Sequence, residues 1–99
     1  MSDLKKKIKE LAASYAPYFI DVRHHLHANP ELSYKEFQTS KYIQQRLDEF
    51  GIGYQVMAET GVIGLIKGKN PSSRTIALRA DIDALPIEEA NEVPYRSKN

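Results

Sequence analysis

The sequence has no cysteine and no tryptophan, and no apolar run approaches the ~20 residues needed to cross a bilayer as a helix. Without cysteine there are no disulfides and no thiolate metal sites within these residues, so any zinc here would need histidine and carboxylate. Charge of one sign is also missing: 14 Lys and Arg face 13 Asp and Glu, a formal net of +1. That balance gives no field to attract nucleic acid or an anionic membrane, and neither is expected as a partner. The first residues, Met1 to Glu10, lack the apolar stretch of a secretory signal, and a cytoplasmic location is the expectation. Nucleotide-loop glycine spacing and the serine nucleophile elbow are absent as well.

What is present is ordinary globular composition, 41% hydrophobic and 27% charged in 99 residues, enough for one small domain or part of one. Leu4, Ile8, Leu11, Tyr15, Phe19, Val22 and Leu26 recur in steps of three and four, one stripe of an amphipathic helix. Pro17 lies within it and predicts a kink near Ala16. Asn29-Pro30 ends that helix. Ser33-Tyr34-Lys35-Glu36 then reads as a capping box, with Leu32 and Phe37 as a hydrophobic staple, opening a second helix over about residues 34–50 with Gly51 as its left-handed terminator.

Beyond Gly51 the period becomes alternating. Ile52, Tyr54 and Val56 predict a strand, and Glu59-Thr60-Gly61 a turn. Residues 62–66 predict a second strand buried on both faces, and residues 75–80 a third after the polar loop 68–73. Residues 81–99, broken by Pro86 and Pro94, are expected to be irregular. The fold class is therefore α/β: two helices, then three strands of a mixed sheet.

Two groups of residues could carry chemistry. His24 and His27 share a helical face and, with Glu31, could hold a transition metal, but histidines near a helix C-terminus are favoured there by the dipole and free carbonyls. The structural role is the stronger reading. Asp81 and Asp83, two apart on an extended chain, point the same way, either as paired acids or hard-cation ligands, or as braces for the following loop. Spacing leaves that choice open. Glu88 and Glu89 take a solvated role by default.

Read together, "VRHHLHANPELSYKE", "TGVIGLIKG" and "LRADIDALPIEEANEVPYRSKN" resemble the N-terminal part of the metal-dependent amidohydrolases of the zinc aminopeptidase-like clan, which includes aminoacylases, hippurate hydrolases and auxin-conjugate hydrolases. The resemblance runs from about Arg23 to Ser97. It implies the first part of a three-layer α/β sandwich, incomplete over residues 1–99, with a separate lid and dimerisation domain absent. It also implies hydrolysis of the amide bond of N-acyl amino acids at a two-ion centre of zinc or manganese, with a glutamate as general base on metal-bound water. The metal ligands of such enzymes begin with a Cys-Gly-His-Asp motif, expected just past the end of this sequence, and the catalytic glutamates follow it. No metal ligand and no bound metal are therefore expected within these 99 residues, and the chain alone is expected to be inactive. Asp83 matches an aspartate that braces the metal site without coordinating it, and Asp81 stands where relatives place the first metal-binding histidine. His27, Pro30 and Glu31 match a recurrent His-x-x-Pro-Glu stretch at the helix-helix corner. The alternative is a remnant that works as an interaction module without catalysis. In either case uncovered apolar surface predicts self-association of the isolated piece.

Overall fold

The computed structural model describes residues 2–70 and 72–98; Pro71 of the expected loop and Asn99 of the expected tail lie outside them, as does Met1. The element order is α1 (Ser2–Ala28), α2 (Phe37–Glu49), β1 (Gly53–Met57) and β2 (Gly61–Leu65). This α/β order matches an N-terminal piece of the expected domain. The chain divides into two compact units, one holding α1 with residues 88–99 and the other residues 30–87.

In the first unit, α1 runs without a break through Pro17. One proline removes a single intrahelical donor, and the apolar stripe keeps its register on both sides of it. Leu4, Ile8, Leu11, Tyr15 and Phe19 remain exposed, whereas Val22, His24 and Leu26 are half-buried and Ala28 is buried. Burial therefore concentrates at the C-terminal turns, where Lys98 N–H donates to Ala28 O at 3.1 Å.

In the second unit, α2 begins at Phe37, three residues later than the capping box predicts. Ser33 does not cap it. Tyr34 turns into the left-handed region at φ 67°, which takes residues 33–36 out of any helix, and the N-cap position falls on Glu36, which supplies no side-chain cap. The other end follows expectation. Gly51 has φ +67°, its N–H reaches Asp48 O at 3.1 Å, and Ile52 N–H reaches Leu47 O at 3.0 Å. This is the doubled closure of a Schellman motif, and glycine fits its left-handed position without Cβ strain.

β1 and β2 form an antiparallel hairpin in the register Gly53↔Leu65 to Met57↔Gly61. Its loop holds Ala58 and Glu59 at φ 52° and 69°, and Thr60, buried beside them, donates to Glu36 Oε1 at 3.4 Å. The hairpin lays one face on α2. Gly64 sits there so closely that a Cβ would stand 3.6 Å from Ile52 Cγ2 and 3.7 Å from Leu47 Cδ1.

Two strand expectations are corrected. Residues 62–66 are not buried on both faces: with one helix covering one side, Ile63, Leu65 and Ile66 are exposed. Residues 75–80 form no strand. Extended backbone becomes sheet only when a neighbour completes the hydrogen-bond ladder, and here Ile76 and Leu78 are 85% and 96% exposed. Among the described residues the sheet is two-stranded.

Candidate functional site

Three clusters carry the chemistry-bearing side chains among the described residues. The first surrounds Glu89 at the end of α1. His27 Nε2 lies 2.8 Å from Glu89 Oε1 and 3.1 Å from Oε2, while Ser97 N–H donates to Oε1 at 2.8 Å. Arg96 folds back to donate Nη2 and Nε to the Glu89 carbonyl at 2.6 and 3.0 Å. Tyr95 stacks on His24 with ring centroids 3.7 Å apart and 9° between planes, and meets His27 edge-on at 5.8 Å. The Ser97 N–H, joined by the His27 imidazole, holds the Glu89 carboxyl below the usual carboxylate range.

Glu89 is thus not a solvated side chain; it is only 12% exposed. The two histidines do share a face, as their spacing requires, and there they meet a tyrosine and a carboxylate. Sequence reasoning missed Glu89 because its partner lies 62 residues away, a separation over which no local pattern operates.

The second cluster replaces the capping box. Glu31 accepts from the backbone N–H of Gln38 at 3.2 Å and from that of Thr39, the second and third residues of α2. These are orphan donors at a positive helix end, where a carboxylate is favoured. Burial alone would raise the Glu31 carboxyl, but the Thr39 side chain and the Thr39 and Gln38 amides outweigh it and lower it below its ordinary value. Glu31 is thus a cap for α2. Its own carbonyl also receives Ala84 N–H at 2.7 Å, which ties the chain just past Asp83 to the start of the helix-helix corner.

The third cluster is the pair of acids. Asp81 Oδ1 lies 3.0 Å from Arg79 Nη2, both well exposed. Asp83 is exposed, and no hydrogen bond or ion pair reaches it among the described residues. The two do not converge with a third donor: among the described residues no group of three or more His, Asp or Glu side chains is placed to hold a metal ion. A two-ion centre needs several donors held together around each ion, and this donor set does not fit one. On the open face of the hairpin, Gly53, Tyr54, Gln55, Ile63, Leu65 and Lys67 line a groove of about 610 Å³. No helix is long and apolar enough to cross a membrane among the described residues.

Comparison with known proteins bears directly on this arrangement. A crystal structure of a Bacillus subtilis protein, described as a dinuclear metal-binding peptidase of the M20 family, superposes with a TM-score of 0.81 at 42% identity, covering 88% of this chain and 24% of that one. The chain is similar to the M20 metallopeptidases. A thermostable carboxypeptidase of Saccharolobus solfataricus is 44% identical over 98 residues, 97% of this chain and 25% of the relative. An uncharacterized hydrolase of Staphylococcus haemolyticus is 57% identical over 76 residues, 77% of this chain and 19% of the relative. No family model matches. The chain spans about a fifth to a quarter of the length of these curated relatives. The part similar to these proteins includes the two helices and the hairpin, and among the described residues no three metal-ligating side chains are placed together.

Proposed function

We propose that this chain is the N-terminal scaffold of a metal-dependent hydrolase of the M20 kind, and that the complete enzyme cleaves the amide bond of N-acyl amino acids using two divalent ions, zinc or manganese. The observation that carries the reading is the likeness to a dinuclear metal-binding peptidase, 42% identical with a TM-score of 0.81. The acyl-amino-acid preference rests on the stretch Leu78 to Asn99, which resembles the amidohydrolases, and the work is cytoplasmic. Within this scaffold Asp83 braces the metal centre without coordinating it. The chain alone is inactive.

The test joins the 99 residues to the remainder of an M20 enzyme and measures release of free amino acid from N-acetyl and N-benzoyl amino acids, and from peptides, with and without chelator. Chelator-sensitive cleavage of the acyl amino acids is expected, and Asp83→Asn is expected to weaken metal retention about 10- to 100-fold. An intact protein that binds no divalent metal and cleaves neither class sinks the enzyme reading. Cleavage of peptides alone keeps the metallohydrolase and overturns the acyl-amino-acid preference. The uncovered faces of α1 and the hairpin favour a second reading, an interaction module without catalysis, which a catalytically silent intact protein would support.

A further inference from the structure

We propose that residues 88–98 form a strap fastened to the C-terminal turns of α1 by one carboxylate, that of Glu89, so that opening the strap uncovers the half-buried imidazole of His24 and releases the exposed imidazole of His27 from its partner. The geometry converges on that side chain. Glu89 receives His27 Nε2 at 2.8 Å and Ser97 N–H at 2.8 Å, so one carboxylate holds both the helix and the far end of the strap. Arg96 locks the strap upon itself through the Glu89 carbonyl at 2.6 Å. Tyr95, stacked on His24 at 3.7 Å, is the strap's aromatic contact with the helix, and Lys98 N–H adds one backbone bond to Ala28 O.

Apolar burial contributes little to the closure. Ala28 is the buried apolar residue beneath the strap, Val93 is half-buried, and Val22 and Leu26 nearby are also only half-buried. A strap with little hydrophobic attachment is held by its polar contacts, and such segments open locally without unfolding the element they lie on. The charged and titratable groups around the fastening are His27, His24, Tyr95 and Arg96, with the Asn91 side chain as a further donor to Glu89.

The experiment uses the 99-residue chain and its Glu89→Ala, Glu89→Gln, His27→Ala and Glu88→Ala variants. Two rates are read: hydrogen exchange of the Ser97 amide, and trypsin cleavage at Arg96–Ser97 relative to cleavage after exposed Arg74, with α1 helicity followed by circular dichroism. Loss of a charge-assisted fastening should accelerate both by about tenfold in Glu89→Ala and in the same direction in His27→Ala, with Glu88→Ala unchanged. Wild-type rates in Glu89→Ala, or equal acceleration in Glu88→Ala, overturn the proposal. If Glu89→Ala loses α1 helicity, Glu89→Gln decides. It keeps an acceptor for Ser97 but removes the charge, so intermediate rates support the strap and wild-type rates refute the role of the carboxylate.

Discussion

Replacing Glu31 by alanine removes the only side chain that, among the described residues, is placed on the N-terminal amides of α2, and the consequence can be worked through. Two amides lose their acceptor, those of Gln38 and Thr39, and Thr39 is buried, so water does not fully replace the carboxylate there. Loss of a helix cap typically costs about 1–2 kcal/mol, and the charge on the helix dipole lies within the same range. With a urea dependence of about 1.5 kcal/mol per molar, the unfolding midpoint of the α2–hairpin unit falls by about 1 M. Glu31→Gln keeps an acceptor and loses the charge, and should fall roughly half as far. The pH dependence has a definite sign. The unfolded carboxyl titrates near 4.5 and the folded one below it, so the stabilisation is complete above that range and is lost as pH falls through the folded value. The wild-type and Glu31→Gln midpoints therefore converge in acid. Urea titrations at pH 7 and pH 3, with hydrogen exchange at Thr39, decide it. Unchanged Thr39 protection in Glu31→Ala, or a wild-type-to-Gln gap that widens in acid, refutes the capping argument.

Three further outcomes follow from backbone geometry and surface. Gly51→Ala places a Cβ at φ +67° and should cost about 1–2 kcal/mol, while Gly61→Ala brings a Cβ to 2.8 Å from Met57 O and should open the hairpin turn at about 1–3 kcal/mol, both read from urea midpoints. Ile63→Lys with Leu65→Lys should shift the isolated chain toward monomer in gel filtration and sedimentation, because both side chains lie on the exposed hairpin face; a wild-type chain that is already a clean monomer at high concentration refutes self-association through that face.

The legible parts of the sequence were those governed by local periodicity. The α1 stripe, the Gly51 stop and the hairpin around the Glu59–Gly61 turn all rest on residues within a turn or two of each other, and the structure contains each of them. The capping box failed for a local reason as well: Tyr34 at φ 67° diverts the chain, and a carboxylate five residues before the N-cap supplies the acceptor instead. The third strand was a pairing claim. Alternation at Thr75 to Ala80 specifies which side chains would share a face, but not which edge would receive the ladder. Glu89 was illegible because its contacts with His27 and Ser97 depend on residues 88–98 returning to α1, which no period in the sequence encodes.

The stretch from Arg79 to Ile87 shows how spacing and chemistry divide. A two-residue period gives Arg79, Asp81 and Asp83 the same side of an extended chain, so a basic residue belongs to the series as much as the acids do. Arg79 engages Asp81 at 3.0 Å, yet with both side chains exposed such a pair is worth at most about 1 kcal/mol and would yield to a divalent ion. The ion pair therefore does not disqualify Asp81 as a donor, and among the described residues no third donor joins it. Asp83 differs in having no partner at all among them, while the amide of Ala84 beside it is fixed to the Glu31 carbonyl at 2.7 Å. A carboxylate on an anchored backbone, left without a partner of its own, costs this part of the fold little to keep and little to lose. Any large effect of Asp83→Asn must then arise through groups beyond the two-helix scaffold, which is why metal retention, rather than stability of this chain, is the measurement that reads its role.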